Sequence, residues 1–198
     1  LARYAESSLQ NNANPLKAIQ IGGSGSKAFA SDRSSFPVIQ SLESYHVFDP
    51  KTAMMDKNRM TKAFLDMYGG SNRLDQLRVA TTRGSEAYKS VEAIQSLAAT
   101  YTKKIEYPNT NFARDLQLVT KLLAGKSGTR LFNVEVGGFD DHADEKLQHA
   151  QMLTQVDEGL TAFYQDLQAQ GLQDRVAIMV FSEFGRRAKE NGSGGTDH

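Results

Sequence analysis

Between Leu131 and Phe181 the apolar residues change period twice, and no other stretch constrains the fold as tightly. Leu131–Val136 is a short β-favouring run. Leu153, Val156, Leu160, Phe163 and Leu167 then recur on one face of a helix. Val176–Phe181 are six consecutive apolar residues. In order, these predict a strand, a helix over Leu147–Leu167, and a second strand, with Gly171 just past the helix end. A crossover of that length joins parallel strands right-handedly. The expected fold class is α/β with a parallel-sheet core.

Parallel strands open their C-terminal ends on one edge, where open α/β sheets bind ligands. Gly137-Gly138-Phe139-Asp140-Asp141-His142 follows the first strand, and Ser182-Glu183-Phe184-Gly185-Arg186-Arg187 follows the second. The chain stops on Gly195-Thr196-Asp197-His198. In an extended segment, Asp140 and His142 project to one side. Together they can hold one divalent ion at about 2.0–2.2 Å. Glu183 reads either as a ligand of a second ion or as a general base. Arg186 offers a planar fork of donors suited to phosphate or sulfate oxygens. Asp197-His198 adds a further pair of ligand types. Taken singly, each is the kind of residue that also serves as a surface carboxylate, a helix cap or half of an ion pair. Asp141 and Asp144 are both placed to cap the following helix. His149, a turn or two into that helix, reads as a surface residue or a support for the ligands. Only the convergence of three such loops on one sheet edge points to a site.

Upstream, Leu1–Leu9 reads as a helix and Leu16–Ile21 as a strand. Gly22-Gly23-Ser24-Gly25-Ser26 lacks the Lys-Ser/Thr ending of a phosphate-binding loop and reads as a turn. Pro37–Phe48 holds room for a short strand that includes His46, a packed or surface histidine. Ala53–Tyr68 reads as a helix, with Met60, Phe64 and Met67 as core filler. Leu74–Ile105 reads as broadly helical, with Leu77, Val91, Ile94 and Leu97 buried and Gly84 as a possible break. Pro108 ends it. Thr110 or Asn111 then caps a helix whose face is Phe112, Leu116, Val119 and Leu123. Residues 53–107 are thus a helical layer or insertion on a single domain spanning 1–198.

Composition narrows the partners. The formal net charge is +0, which gives no electrostatic case for nucleic acid or an anionic membrane surface. No apolar run approaches a membrane span. With Cys 0, disulfides, thiolate metal sites and cysteine nucleophiles are all excluded. The chain opens inside a helix and stops on a glycine-rich loop, which reads as an excerpt of a longer protein.

The loop sequences carry a resemblance. Gly137–His142, Phe181–Arg187 and Glu190–His198 are similar to motifs of a bacterial domain-of-unknown-function family within the alkaline phosphatase and sulfatase-like superfamily. Leu1–Ala5, Ala18–Gly22 and Tyr107–Thr110 match it more loosely. The resemblance implies a sulfatase-like sheet core, of which this chain is a partial domain. It implies a divalent metal (zinc, manganese, calcium or magnesium) held by Asp140, His142, Glu183 and His198. Glu183 and Arg186 would act on a small or polymeric anionic ester. It also implies export to the periplasm by the twin-arginine route, and a nucleophile lying upstream of Leu1. Two departures stand out. Glu183-Phe184 replaces the superfamily's Asp-His, and Asp141 replaces the family's Thr or Ser. The second function class is a non-catalytic exported binding or assembly protein that keeps the metal loops.

Overall fold

A computed structural model describes residues 1–23, 25–42, 45–46, 51, 53–68, 75–97 and 101–198. The described elements form an α/β fold with a three-stranded parallel sheet and five α-helices. The helices are α1 (Ala2–Ser8), α2 (Met54–Tyr68), α3 (Asp75–Leu97), α4 (Asn111–Ala124) and α5 (Glu145–Gln170). The strands are β1 (Ala18–Ile21), β2 (Val38–Ile39) and β3 (Leu131–Val134), in the order β2-β1-β3. Two compact units result: residues 1–101 with 121–133, and residues 102–120 with 134–198. No described helix is long and apolar enough to cross a membrane.

In the first unit, β1 is buried along its whole length, as a central strand covered on both faces should be. Gln20 pairs with Val38, and Ile21 with Ile39. Asn133 Nδ2 donates to Gln20 Oε1 at 2.8 Å, so these two buried amides satisfy each other across the sheet. Ala5, Ala18 and Phe29 form a core against Leu9, Phe36 and Leu131. Alongside, α2 and α3 pack through Phe64, Tyr68 and Tyr88, with Phe64–Tyr68 ring centroids 4.5 Å apart. Gly84 does not break α3. The Tyr68 ring lies 2.3 Å from where a Cβ would stand, so glycine is what lets the ring close on the helix. The methionines of α2 are not core filler: Met54, Met55, Met60 and Met67 are all exposed. His46 lies outside the strand, which is only Val38–Ile39. Gly69-Gly70, Leu74 and Phe48, and the side chain of Leu77, fall outside the described residues.

In the second unit, Thr110 Oγ1 accepts from Ala113 N–H and caps α4, as the sequence predicts. Gly159 brings α5 onto Phe112 and Leu116 of α4, the Phe112 ring standing 2.9 Å from a notional Cβ. Phe163 and Leu167 are buried on the same face, whereas Leu153, nearer the helix start, is exposed. The buried Asp166 accepts from Tyr107 Oη at 3.1 Å and from Gln170 Nε2 at 3.3 Å. Gly171 ends α5 in the left-handed region at φ 70°. Its N–H bonds to Gln168 O, and Leu172 N–H reaches Leu167 O, the paired closure such an end uses.

The second predicted strand is absent. Val176–Phe181 joins no sheet, and Ile178, Met179, Val180 and Phe181 are exposed. Strand formation depends on a neighbour to complete the ladder and bury the side chains. Among the described residues no strand pairs with Val176–Phe181. Val176 keeps the dihedrals of a strand, φ −121° and ψ 121°, without a partner.

Candidate metal centre

Three segments of the second unit build the site: the β3–α5 loop, the stretch around Arg186, and the last eight residues. The tail turns back through Asn191. Asn191 Oδ1 accepts from the N–H groups of Ser193 and Gly195, at 2.9 and 3.1 Å. Its Nδ2 donates to His142 O at 3.0 Å and to Asp197 Oδ1 at 3.1 Å. Every hydrogen-bonding position of that amide is therefore used. The returning chain also closes the start of α5. Asp144 N–H reaches Ser193 O, and Glu145 N–H reaches Gly194 O at 3.1 Å. Backbone carbonyls thus take the orphan donors of this helix end. Neither aspartate predicted as a cap does so: Asp144 makes no capping bond, and Asp141 Oδ1 meets only Ala143 N–H at 3.4 Å. Gly195 lies flat on the loop, with His142 C, His142 O and Ala143 N within 2.4–2.7 Å of where a Cβ would be.

This folding gathers Asp140, His142 and His198. One donor atom from each lies within 4.8 Å of the others. His142 Nε2 is 3.0 Å from Asp140 Oδ1, and His198 Nε2 is 3.2 Å from the same oxygen. Ligands bound tetrahedrally at about 2.1 Å stand about 3.4 Å apart, so the two contacts to Asp140 Oδ1 lie within a few tenths of an ångström of that spacing. Nitrogen and carboxylate donors suit zinc or manganese, and three donors leave coordination positions open. All three side chains are between 44% and 60% exposed, so the open side faces solvent.

His142 is also held from behind. Its Nδ1 is 3.1 Å from Asp197 Oδ1. With an ion on Nε2 the ring proton would sit on Nδ1, where the Asp197 carboxylate accepts it. The Asn191 amide, and then His142, hold Asp197 below the ordinary carboxylate range. Arg186, 13% exposed, bonds Phe139 O, Asp141 O, Thr196 O and Thr196 Oγ1, with Asp140 Oδ1 at 3.4 Å. Thr196 Oγ1 donates to Glu145 Oε2 at 2.7 Å. That bond, helped by the Arg186 charge, lowers the Glu145 pKa against the effect of desolvation.

Asp140, His142, His198 and Arg186 therefore stand together, but not through two parallel strands. The tail folding over the start of α5 does it. Glu183 is exposed and lies outside the trio. Asn191 and Glu145 went unremarked in the sequence. An Asn-Gly-Ser-Gly-Gly run signals a turn, and the turn is what needs Asn191. Nothing in the sequence marks Glu145 beyond its place at the start of a helix.

A family model described as "Protein of unknown function (DUF1501)" matches residues 3–198. No curated protein and no solved structure matches the chain.

Proposed function

The chain belongs to the DUF1501 family of proteins of unknown function, and from the geometry of its trio we propose a metal-dependent hydrolase of phosphate or sulfate esters. The carrying observation is the approach of Asp140 Oδ1, His142 Nε2 and His198 Nε2 on an open surface, with Asp197 behind His142. When bound there, a divalent ion supplies Lewis-acid polarisation of an ester oxygen and lowers the pKa of a coordinated oxygen nucleophile. Asp140, His142 and His198 hold the ion, and Asp197 keeps His142 in the ligating tautomer. Glu183, exposed on the segment that leads to Arg186, is the proton-transfer group or a ligand of a second ion. Superfamily resemblance supports the sulfatase-like fold, the ester substrate and export to the periplasm.

A second reading is an exported binding or assembly protein that retains the metal loops. One observation favours it: Glu183, the acid–base group of the hydrolase reading, is exposed and lies outside the trio. Metal content together with a phosphatase and sulfatase substrate panel separates the two. Bound metal with ester turnover, both lost in Asp140→Ala/His142→Ala, supports the hydrolase. Stoichiometric metal with no turnover across the panel supports the binding protein. No metal at all removes both.

A further inference from the structure

The Arg186 guanidinium faces inward. It has four terminal N–H groups and one Nε–H. Nη1 lies 2.6 Å from Asp141 O and also bonds Thr196 O and Thr196 Oγ1. Nη2 lies 2.8 Å from Phe139 O and 3.4 Å from Asp140 Oδ1. Every terminal nitrogen is engaged by the protein, and the side chain is only 13% exposed. An incoming phosphate or sulfate would have to displace several of these bonds before it met the fork.

The positions of the acceptors show what the clamp does. Phe139 O and Asp141 O flank Asp140, so fixing both sets the direction of the carboxylate. Thr196 O lies two residues before His198, so fixing it sets the approach of the tail. Thr196 is tied in turn to Glu145 in the first turn of α5. One planar group thus registers the loop carrying two donors against the tail carrying the third. Lysine has one compact ammonium on a flexible stem and cannot span these carbonyls with fixed geometry.

We propose that Arg186 is a positioning residue that holds the Asp140 loop and the His198 tail in metal-binding register, and is not an anion contact. The proposal rests on the metal reading of the trio.

The test uses the whole chain and four proteins: wild type, Arg186→Lys, Arg186→Ala, and Lys189→Ala as an exposed-charge control. Zinc affinity is measured by competition with a chromophoric chelator, with no anion present. Orthophosphate affinity is measured separately at saturating zinc. The expected result is a loss of zinc affinity of about ten-fold or more in both Arg186 variants, with no rescue by lysine and no change in Lys189→Ala. Orthophosphate binding to the zinc-loaded Arg186→Lys protein stays at the wild-type level. Wild-type zinc affinity with lost orthophosphate binding in Arg186→Lys would overturn the proposal and make Arg186 the anion contact. A second readout needs neither metal nor variant. In nitrogen-15 spectra of the free wild-type protein, the Arg186 terminal N–H protons should be resolved, in slow rotation, with no anion added. A single averaged signal overturns the clamp, even if Arg186→Ala fails to fold. Should the wild type bind no zinc, the metal reading fails by itself. The clamp then stands or falls on whether amide exchange at residues 140–142 speeds up in Arg186→Lys.

Discussion

At the scale of single residues, the site depends on groups that never touch the proposed ion. Asp197 is the clearest, because its carboxylate stands 3.1 Å from His142 Nδ1 and would hold the proton there when Nε2 binds an ion. Asp197→Asn should weaken divalent-metal affinity about 10–100-fold, and nitrogen-15 shifts should show His142 leaving the Nδ1–H tautomer. An unchanged tautomer in that variant would remove Asp197 from the account. Gly195 acts by having no side chain. In Gly195→Ala the new methyl would run into the His142 carbonyl. The tail should lift from the loop, with metal binding lost and helical circular dichroism kept. Glu145 gives the pH dependence. Its folded pKa is lowered, chiefly by the Thr196 hydroxyl and then by Arg186. The stabilisation is therefore complete above the ordinary carboxylate range and is lost as pH falls through the folded value. Thr196 chemical shifts should titrate with Glu145 below the ordinary carboxylate range, and Glu145→Gln should abolish that step.

At the scale of elements, the helices were the most legible part of the sequence. Periodicity and punctuation locate α4 and α5 because Thr110 caps one and Gly171 closes the other, and both act locally. The packing of α4 on α5 through Gly159 is a tertiary fact that no pattern announces. It makes a direct prediction: Gly159→Ala places a methyl against the Phe112 ring. That should cost about 1–3 kcal/mol of stability, read as a lower denaturant midpoint with an unchanged slope. Val176–Phe181 shows the opposite limit. Its composition is that of a strand, but pairing is not encoded in the segment that pairs, and no described strand receives it. The methionines of α2 fail for a related reason. A helical stripe says which residues share a face and not whether anything covers that face. The candidate site was legible by residue type in Asp140, His142 and His198. It was not legible by mechanism, because a turn held by one asparagine amide assembles it where two strand ends were expected to.

At the scale of the whole molecule, the charge balance and the uncovered apolar run act together. The formal net charge is +0, and Ile178–Phe181 stands in solvent. A β-prone window without charge or proline, on a chain with little net repulsion, favours association. Val180→Lys should raise the concentration at which the protein stays monodisperse in light scattering, with circular dichroism unchanged, because Val180 is exposed. An unaltered association threshold would clear this segment. The central claim, however, is that Asp140, His142 and His198 are brought together to hold a divalent ion. Calorimetric titration of the metal-stripped protein with zinc, alongside Asp140→Ala/His142→Ala, tests it most directly. The account predicts saturable binding by the wild type, and binding abolished in the double variant with its thermal unfolding little changed. Equal zinc binding by both proteins, or none by the wild type, would contradict it.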